Sequence, residues 1–102
     1  MIRSIYLIRG NNGKYKIGIA KNPQSRLKQL QTGNPEPLSI IETYKTINAS
    51  KIEKALHNRY SYARKEGEWF ELSISNELTF INECKEIDDN INLLRKLGNP
   101  FI

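Results

Sequence analysis

The sequence predicts an α+β fold: a three-stranded antiparallel sheet with flanking helices, in the order β-β-α-β-α-(short extended)-α. Three observations carry this. Residues 4–20, "SIYLIRGNNGKYKIGIA", hold two short runs rich in Ile, Leu and Tyr around a Gly-Asn-Asn-Gly turn. Two segments with helix-type end signals, 22–33 and 48–64, flank a third β-type run, "LSIIETYKTI". A long stretch from 75 to 97 repeats apolar residues at helical spacing. At 102 residues the chain is expected to be a single domain, with a core over 2–72 and a C-terminal helix over 75–97.

The first strand runs over 2–9 and the second over 14–20. "GNNG" suits a three-residue loop, Asn11-Asn12-Gly13, with Gly13 left-handed in a bulge. That loop pairs Ile8 with Lys16 and Tyr6 with Gly18. Tyr6, Lys16 and Gly18 then share one face, while Ile5, Leu7, Tyr15, Ile17 and Ile19 share the other, the core face. A two-residue loop would shift the register by one and part Tyr6 from Lys16.

"KNPQSRLKQLQTG" is a helix capped by Asn22, opened by Pro23 and closed by Gly33, with Leu27 and Leu30 as its buried stripe. "NPEP" follows, where Pro35 and Pro37 lack amide donors and forbid regular structure. The second helix, 48–64, turns Ile52, Ala55 and Leu56 inward. "GEWFEL" breaks it as a short extended piece. In the last helix Leu78, Ile81, Ile87, Ile91 and Leu94 are the core candidates, and Gly98 ends it.

Charge is divided along the chain. Residues 1–65 carry thirteen Lys and Arg against three acids, and residues 66–102 carry three against eight. A basic body with an acidic end suits a polyanionic partner. The basic residues expected to follow a strand backbone are Lys14, Lys21, Lys28, Lys54 and Arg64, with Lys51 and Arg59 beside them. No apolar run reaches membrane-spanning length and no signal-type segment opens the chain, so an intracellular, cytoplasmic protein is expected. The lone Cys84 excludes an internal disulfide and a cysteine zinc site, and reads as a helix residue.

With one histidine and one cysteine, chemistry has to come from Tyr, Lys, Arg and Glu. Arg26 lies on the first helix, close behind the Gly18 strand, where its planar fork can reach over the Tyr6/Lys16 face and suits a scissile phosphate. Glu53 and His57 are four apart on the second helix and project from one face, half of a metal site. Ser50-Lys51-Ile52-Glu53 is equally a capping-box pattern, in which Glu53 serves only the Ser50 amide. Trp69 and Phe70 are core anchors, or Trp69 is a platform for a stacked base. Glu68 and Glu71 alternate around them, with Glu68 able to face the site.

Taken together these segments resemble the GIY-YIG nuclease superfamily. "SIYLI" stands where that family has its first motif and "KIGIA" where it has its second. "KNPQSRLKQLQTG" is similar to its arginine helix, and "IEKALH" to its metal-glutamate helix. The combination of KIG, "QTGNP" and "EWF" resembles its short phage-type subgroup, and the resemblance spans Ser4 to Leu72. It implies an endonuclease hydrolysing phosphodiester bonds in DNA with one divalent metal ion, Mg2+ or Mn2+. It implies Tyr6 as general base or water-orienting group, Gly18 as the residue leaving backbone room, Arg26 as the phosphate-stabilising arginine and Glu53 as metal ligand. Lys16 replaces the second-motif tyrosine, and Glu68 or His57 stands in for a late asparagine. A catalytically silent nucleic-acid-binding or regulatory module on the same fold is the other reading. A homodimer is open through Trp69 or the last helix.

Overall fold

A computed structural model describes residues 1–11 and 13–98. Its elements are β1 (Arg3–Arg9), β2 (Lys14–Ala20), α1 (Pro23–Thr32), β3 (Ser39–Thr46), α2 (Ala49–Arg59), β4 (Trp69–Glu71) and α3 (Ile74–Lys96). The sheet has four antiparallel strands in the order β3-β1-β2-β4, not three. The piece in "GEWFEL" is the additional strand: Glu71, Phe70 and Trp69 pair with Lys14, Tyr15 and Lys16. Three residues are too few to show a strand period, but they satisfy backbone groups on the outer edge of β2.

The hairpin register is the one the odd-length loop requires. The Gly10 amide donates to the Lys14 carbonyl at 2.8 Å, and Gly13 has φ +72°. Tyr6 pairs with Gly18 and Ile8 with Lys16. Asn12 of the expected loop lies outside the described residues.

Both faces of the sheet are covered. On the broad face Ile5, Leu7, Tyr15 and Ile17 pack with Ile52 and Leu56 of α2, with Phe70, and with Phe80, Cys84 and Ile87 of α3. On the other face Tyr6, Ile8 and Leu38 form a small second core with Leu27, Leu30, Ile40 and Trp69 around it. Leu27 and Leu30 are therefore half-buried rather than a buried stripe, because α1 covers only a few side chains.

Helix α3 opens at a capping box in which Ser73 and Asn76 bond each other's backbone amides. Its buried stripe is Phe80, Cys84 and Ile87, with Ile81 and Ile91 beside it. Two expected core residues are corrected. Leu78, two residues or about 200° around the helix from Phe80, is 74% exposed. Leu94 keeps the spacing but lies where residues 92–98 are all exposed, and is itself 39% exposed.

Helix α2 stops at Arg59, five residues before the expected end, and a single 3-10 turn, Ser61–Ala63, follows. The early stop buries Tyr60 and Ala63 and lets Arg64 bridge to Phe70, which returns the chain to β2. The N-cap of α2 is Asn48, whose side chain serves α3 instead: Nδ2 donates to Asp88 at 2.7 Å and to Asn92 at 2.8 Å. Tyr44 and Thr46 also donate to Asp88, at 2.8 and 2.9 Å. Ser50 lies inside α2, and its hydroxyl accepts from Arg3, so the Ser50–Glu53 capping box does not form. No helix among the described residues is long and apolar enough to cross a membrane.

Candidate functional site

The outer edge of β2 is covered by β4 only as far as Lys16. Beyond that point the edge belongs to side chains. Ile17 pairs across with Leu7, and its carbonyl meets His57 Nε2 at 2.9 Å. A backbone carbonyl only accepts, so Nε2 carries a proton and donates it to Ile17. The ring also packs on Phe70, with centroids 5.0 Å apart. Ala49, Ile52 and Leu56 are the buried positions of α2. Glu53 and His57, each one residue further round the helix, are half-buried beside them.

Tyr6, Lys16 and Gly18 share the opposite face, as the register requires. Gly18 is needed there: a Cβ on it would overlap the Tyr6 hydroxyl and ring. The phenol therefore lies flat across its partner strand. The Arg26 guanidinium on α1 lies against it. Burial raises the Tyr6 pKa above its ordinary value; Arg26 opposes this, and the charges of Glu68 and Glu53 add to it. The phenol thus keeps its proton at neutral pH.

This face is enclosed. Tyr6 is 1% exposed and Lys16 8%, because α1 and Trp69 cover them. The Lys16 ammonium is paired with Glu68 Oε2 at 3.0 Å and lies 5.6 Å from the centre of the Trp69 ring. Lys16 is thus held by a carboxylate, not left free for a phosphate. Glu68 is the residue whose weight the sequence understates. Apart from the resemblance, its signal is the alternation in "GEWFEL", which also admits a solvent-facing glutamate.

Glu53 binds the two faces electrostatically. Burial raises its pKa; His57 lowers it, Glu68 raises it, and Arg3 and Lys16 lower it. Among the described residues no ion pair holds its carboxylate. A half-buried, unpaired carboxylate suits a hard divalent cation. Among the described residues no three His, Cys, Asp or Glu side chains come together as a chelate. Glu53 would be the protein's anchor for such an ion, with water or phosphate oxygens completing its shell, as Mg2+ favours.

Of the expected strand-following residues, Lys14, Lys21, Lys28 and Lys54 are exposed on β2, after β2, on α1 and on α2. Arg64 is exposed too, but its Nε donates to the Gly67 carbonyl at 2.5 Å and its cation lies over Phe70. Arg59 is paired with Glu83 at 3.3 Å.

Fold and site together define a small α+β domain that gathers ionisable side chains from both faces of its sheet around one strand edge. The chain belongs to the T5orf172 domain family, whose domain matches residues 3–92. Over 81 residues it is 36% identical to the putative KilA-N domain-containing protein 315L of Invertebrate iridescent virus 6, covering 72% of this chain. The chain spans about a third of that protein's length, the alignment covering 35% of it. No solved structure matches.

Proposed function

We propose that this domain is a metal-dependent endonuclease of GIY-YIG type acting on DNA, with Mg2+ or Mn2+ on Glu53. The observation that carries the proposal is the meeting of Tyr6, Gly18 and Arg26 on one side of the β2 edge with Glu53 and His57 on the other. The viral relative and the basic body of the chain support a nucleic-acid partner.

Hydrolysis of a phosphodiester needs a placed water, stabilised charge on phosphorus-bound oxygen, and help for the leaving oxygen. A divalent metal supplies charge neutralisation and support for an oxygen when bound. The remaining roles fall to the chain. The Tyr6 phenol, protonated at neutral pH, donates a hydrogen bond and orients the attacking water. Arg26 holds a non-bridging oxygen. His57 is held through Nε2 by the Ile17 carbonyl and turns Nδ1 to the site. Lys16 joins the phosphate once Glu68 yields it. Gly18 keeps the Tyr6 ring in place.

The test is cleavage of a panel of DNA and RNA substrates with magnesium, manganese or chelator, for the wild type and Glu53→Gln. Glu53 caps nothing here, so Glu53→Gln should melt close to wild type and lose cleavage entirely. Retained cleavage in that variant sinks the assignment. A silent binding module is the second reading, favoured by the coverage of Tyr6 and the occupied Lys16. It predicts binding to the same panel with no cleavage under any metal.

A further inference from the structure

Beyond Trp69 lies a groove of about 490 Å³ that the chemistry above does not use. It opens between three loops: the β1–β2 hairpin, the α1–β3 connection and the segment before β4. Trp69 and Leu38 are its apolar walls. Gly10 lies where they converge; a Cβ there would stand 3.5 Å from each side chain. Trp69 is thus a shared wall, with the Lys16 ammonium against its ring and the groove beside it.

The polar lining is balanced in charge. Lys14 and Lys65 are matched by Glu36 and Glu66, and Lys65 is already paired with Glu71 at 3.4 Å. A phosphate site would carry one sign. An aromatic wall with donors and acceptors of both signs suits a heteroaromatic ring with a mixed polar edge. The groove lies close to the site: from the Ile8–Lys16 pair to Gly10–Lys14 is two residues, about 7 Å along the strands.

We infer that this groove takes an unpaired nucleobase of the bound strand, stacked on Trp69 and neighbouring the nucleotide whose phosphate meets Arg26 and Lys16. The inference rests on the nucleolytic reading of the site. It adds a substrate class: strands that are single, or that can turn a base out beside the cut. A base inside an intact duplex presents no free face to Trp69.

Trp69 is the sole tryptophan, so selectively excited tryptophan fluorescence reports on its ring, and the abasic series separates the groove from the Lys16 side. The full chain is titrated, in chelator, with a short single-stranded oligonucleotide as DNA and as RNA, with the same strand made abasic at each position in turn, and with the blunt duplex. Anisotropy of a labelled strand reports binding independently. Quenching that saturates with binding is expected from at least one single strand, and one abasic position should weaken binding about tenfold. In Trp69→Leu that abasic penalty should vanish. A general loss of stability would not erase the difference between base and abasic strand. Should Trp69→Leu not fold, the position-dependent quenching of the wild type decides.

Binding without quenching overturns the inference, as does equal quenching by the blunt duplex or an abasic penalty that persists in Trp69→Leu. If Glu53-dependent cleavage stands while the base effect fails, only the groove assignment falls. A base effect with no cleavage under any metal keeps the groove and sinks the nuclease reading.

Discussion

The two faces of the sheet are built from alternate residues of the same two strands, yet they do different work. The broad face sets Ile5, Leu7, Tyr15 and Ile17 against two helices, and its polar tips are answered: Tyr15 donates to Glu77 at 2.8 Å, and Tyr60 donates to Glu83. The narrow face sets Tyr6, Ile8, Lys16 and Gly18 against one short helix and one indole. There a buried phenol meets an arginine, and a nearly buried lysine depends on a half-exposed glutamate. Burial on the first face is spent on stability. On the second it removes ionisable groups from water, which strengthens their interactions and perturbs their protonation. Functional sites concentrate such groups.

The largest expected effect comes from emptying the broad face. Tyr15→Ala removes a fully buried aromatic and should destabilise by about 3–5 kcal/mol. Cleavage per folded molecule should stay near wild type, because Tyr15 points away from Tyr6. Denaturant unfolding and cleavage measured on one preparation check this. A folded but inactive Tyr15→Ala would reverse the roles of the two faces.

A smaller change on the narrow face should do the opposite. Gly18→Ala adds one methyl where the Tyr6 phenol lies. Tyr6 is too enclosed to swing freely, so overpacking should cost about 1–3 kcal/mol, while cleavage should fall far more than stability does. Tyr6→Phe isolates the hydroxyl from the ring and should lower cleavage with little loss of stability. If Gly18→Ala kept full activity, the Tyr6 ring would not be part of the site.

The hairpin was legible because two local rules agree. An odd loop with a left-handed glycine fixes the register, and a period of two then assigns the faces; Tyr6, Lys16 and Gly18 fell together for that reason. The placement of Glu53 and His57 on one face of α2 was legible from helix spacing. What the sequence could not show was tertiary. Trp69-Phe70-Glu71 reads as extended, but nothing in it marks a fourth strand of the sheet until β2 offers an edge. Nothing in Glu68 marks a partner for Lys16, fifty-two residues away. Leu78 and Leu94 match an apolar pattern, but whether a helix position is covered depends on where the sheet ends. Ser50–Glu53 had the residues of a cap, and Asn48 took the position instead because Asp88 and Asn92 hold it.

The smallest expected effect separates the two regions by the sign of their response to pH. Asp88, on the broad-face side, is raised by burial, but hydrogen bonds from Asn48, Tyr44 and Thr46 outweigh this and hold it below the usual aspartate range. Its unfolded form therefore binds protons first as pH falls. The stability it contributes is present above the ordinary aspartate pKa, about 3.9, and is lost as pH falls from there through its folded pKa. Glu53 is shifted the other way by burial. Its folded form binds a proton more readily than the unfolded chain. Stability therefore declines as pH rises from the ordinary glutamate pKa, about 4.3, through the raised folded value, and is flat above it. Melting temperatures followed from neutral pH into acid should show both limbs. Asp88→Asn should flatten the limb below the aspartate range and leave the upper one. Glu53→Gln should flatten the upper limb alone, and in doing so stabilise the neutral protein slightly. A Glu53→Gln profile identical to wild type between the ordinary glutamate range and neutrality would mean that Glu53 carries no burial penalty. The site would then lose its reason to attract a cation.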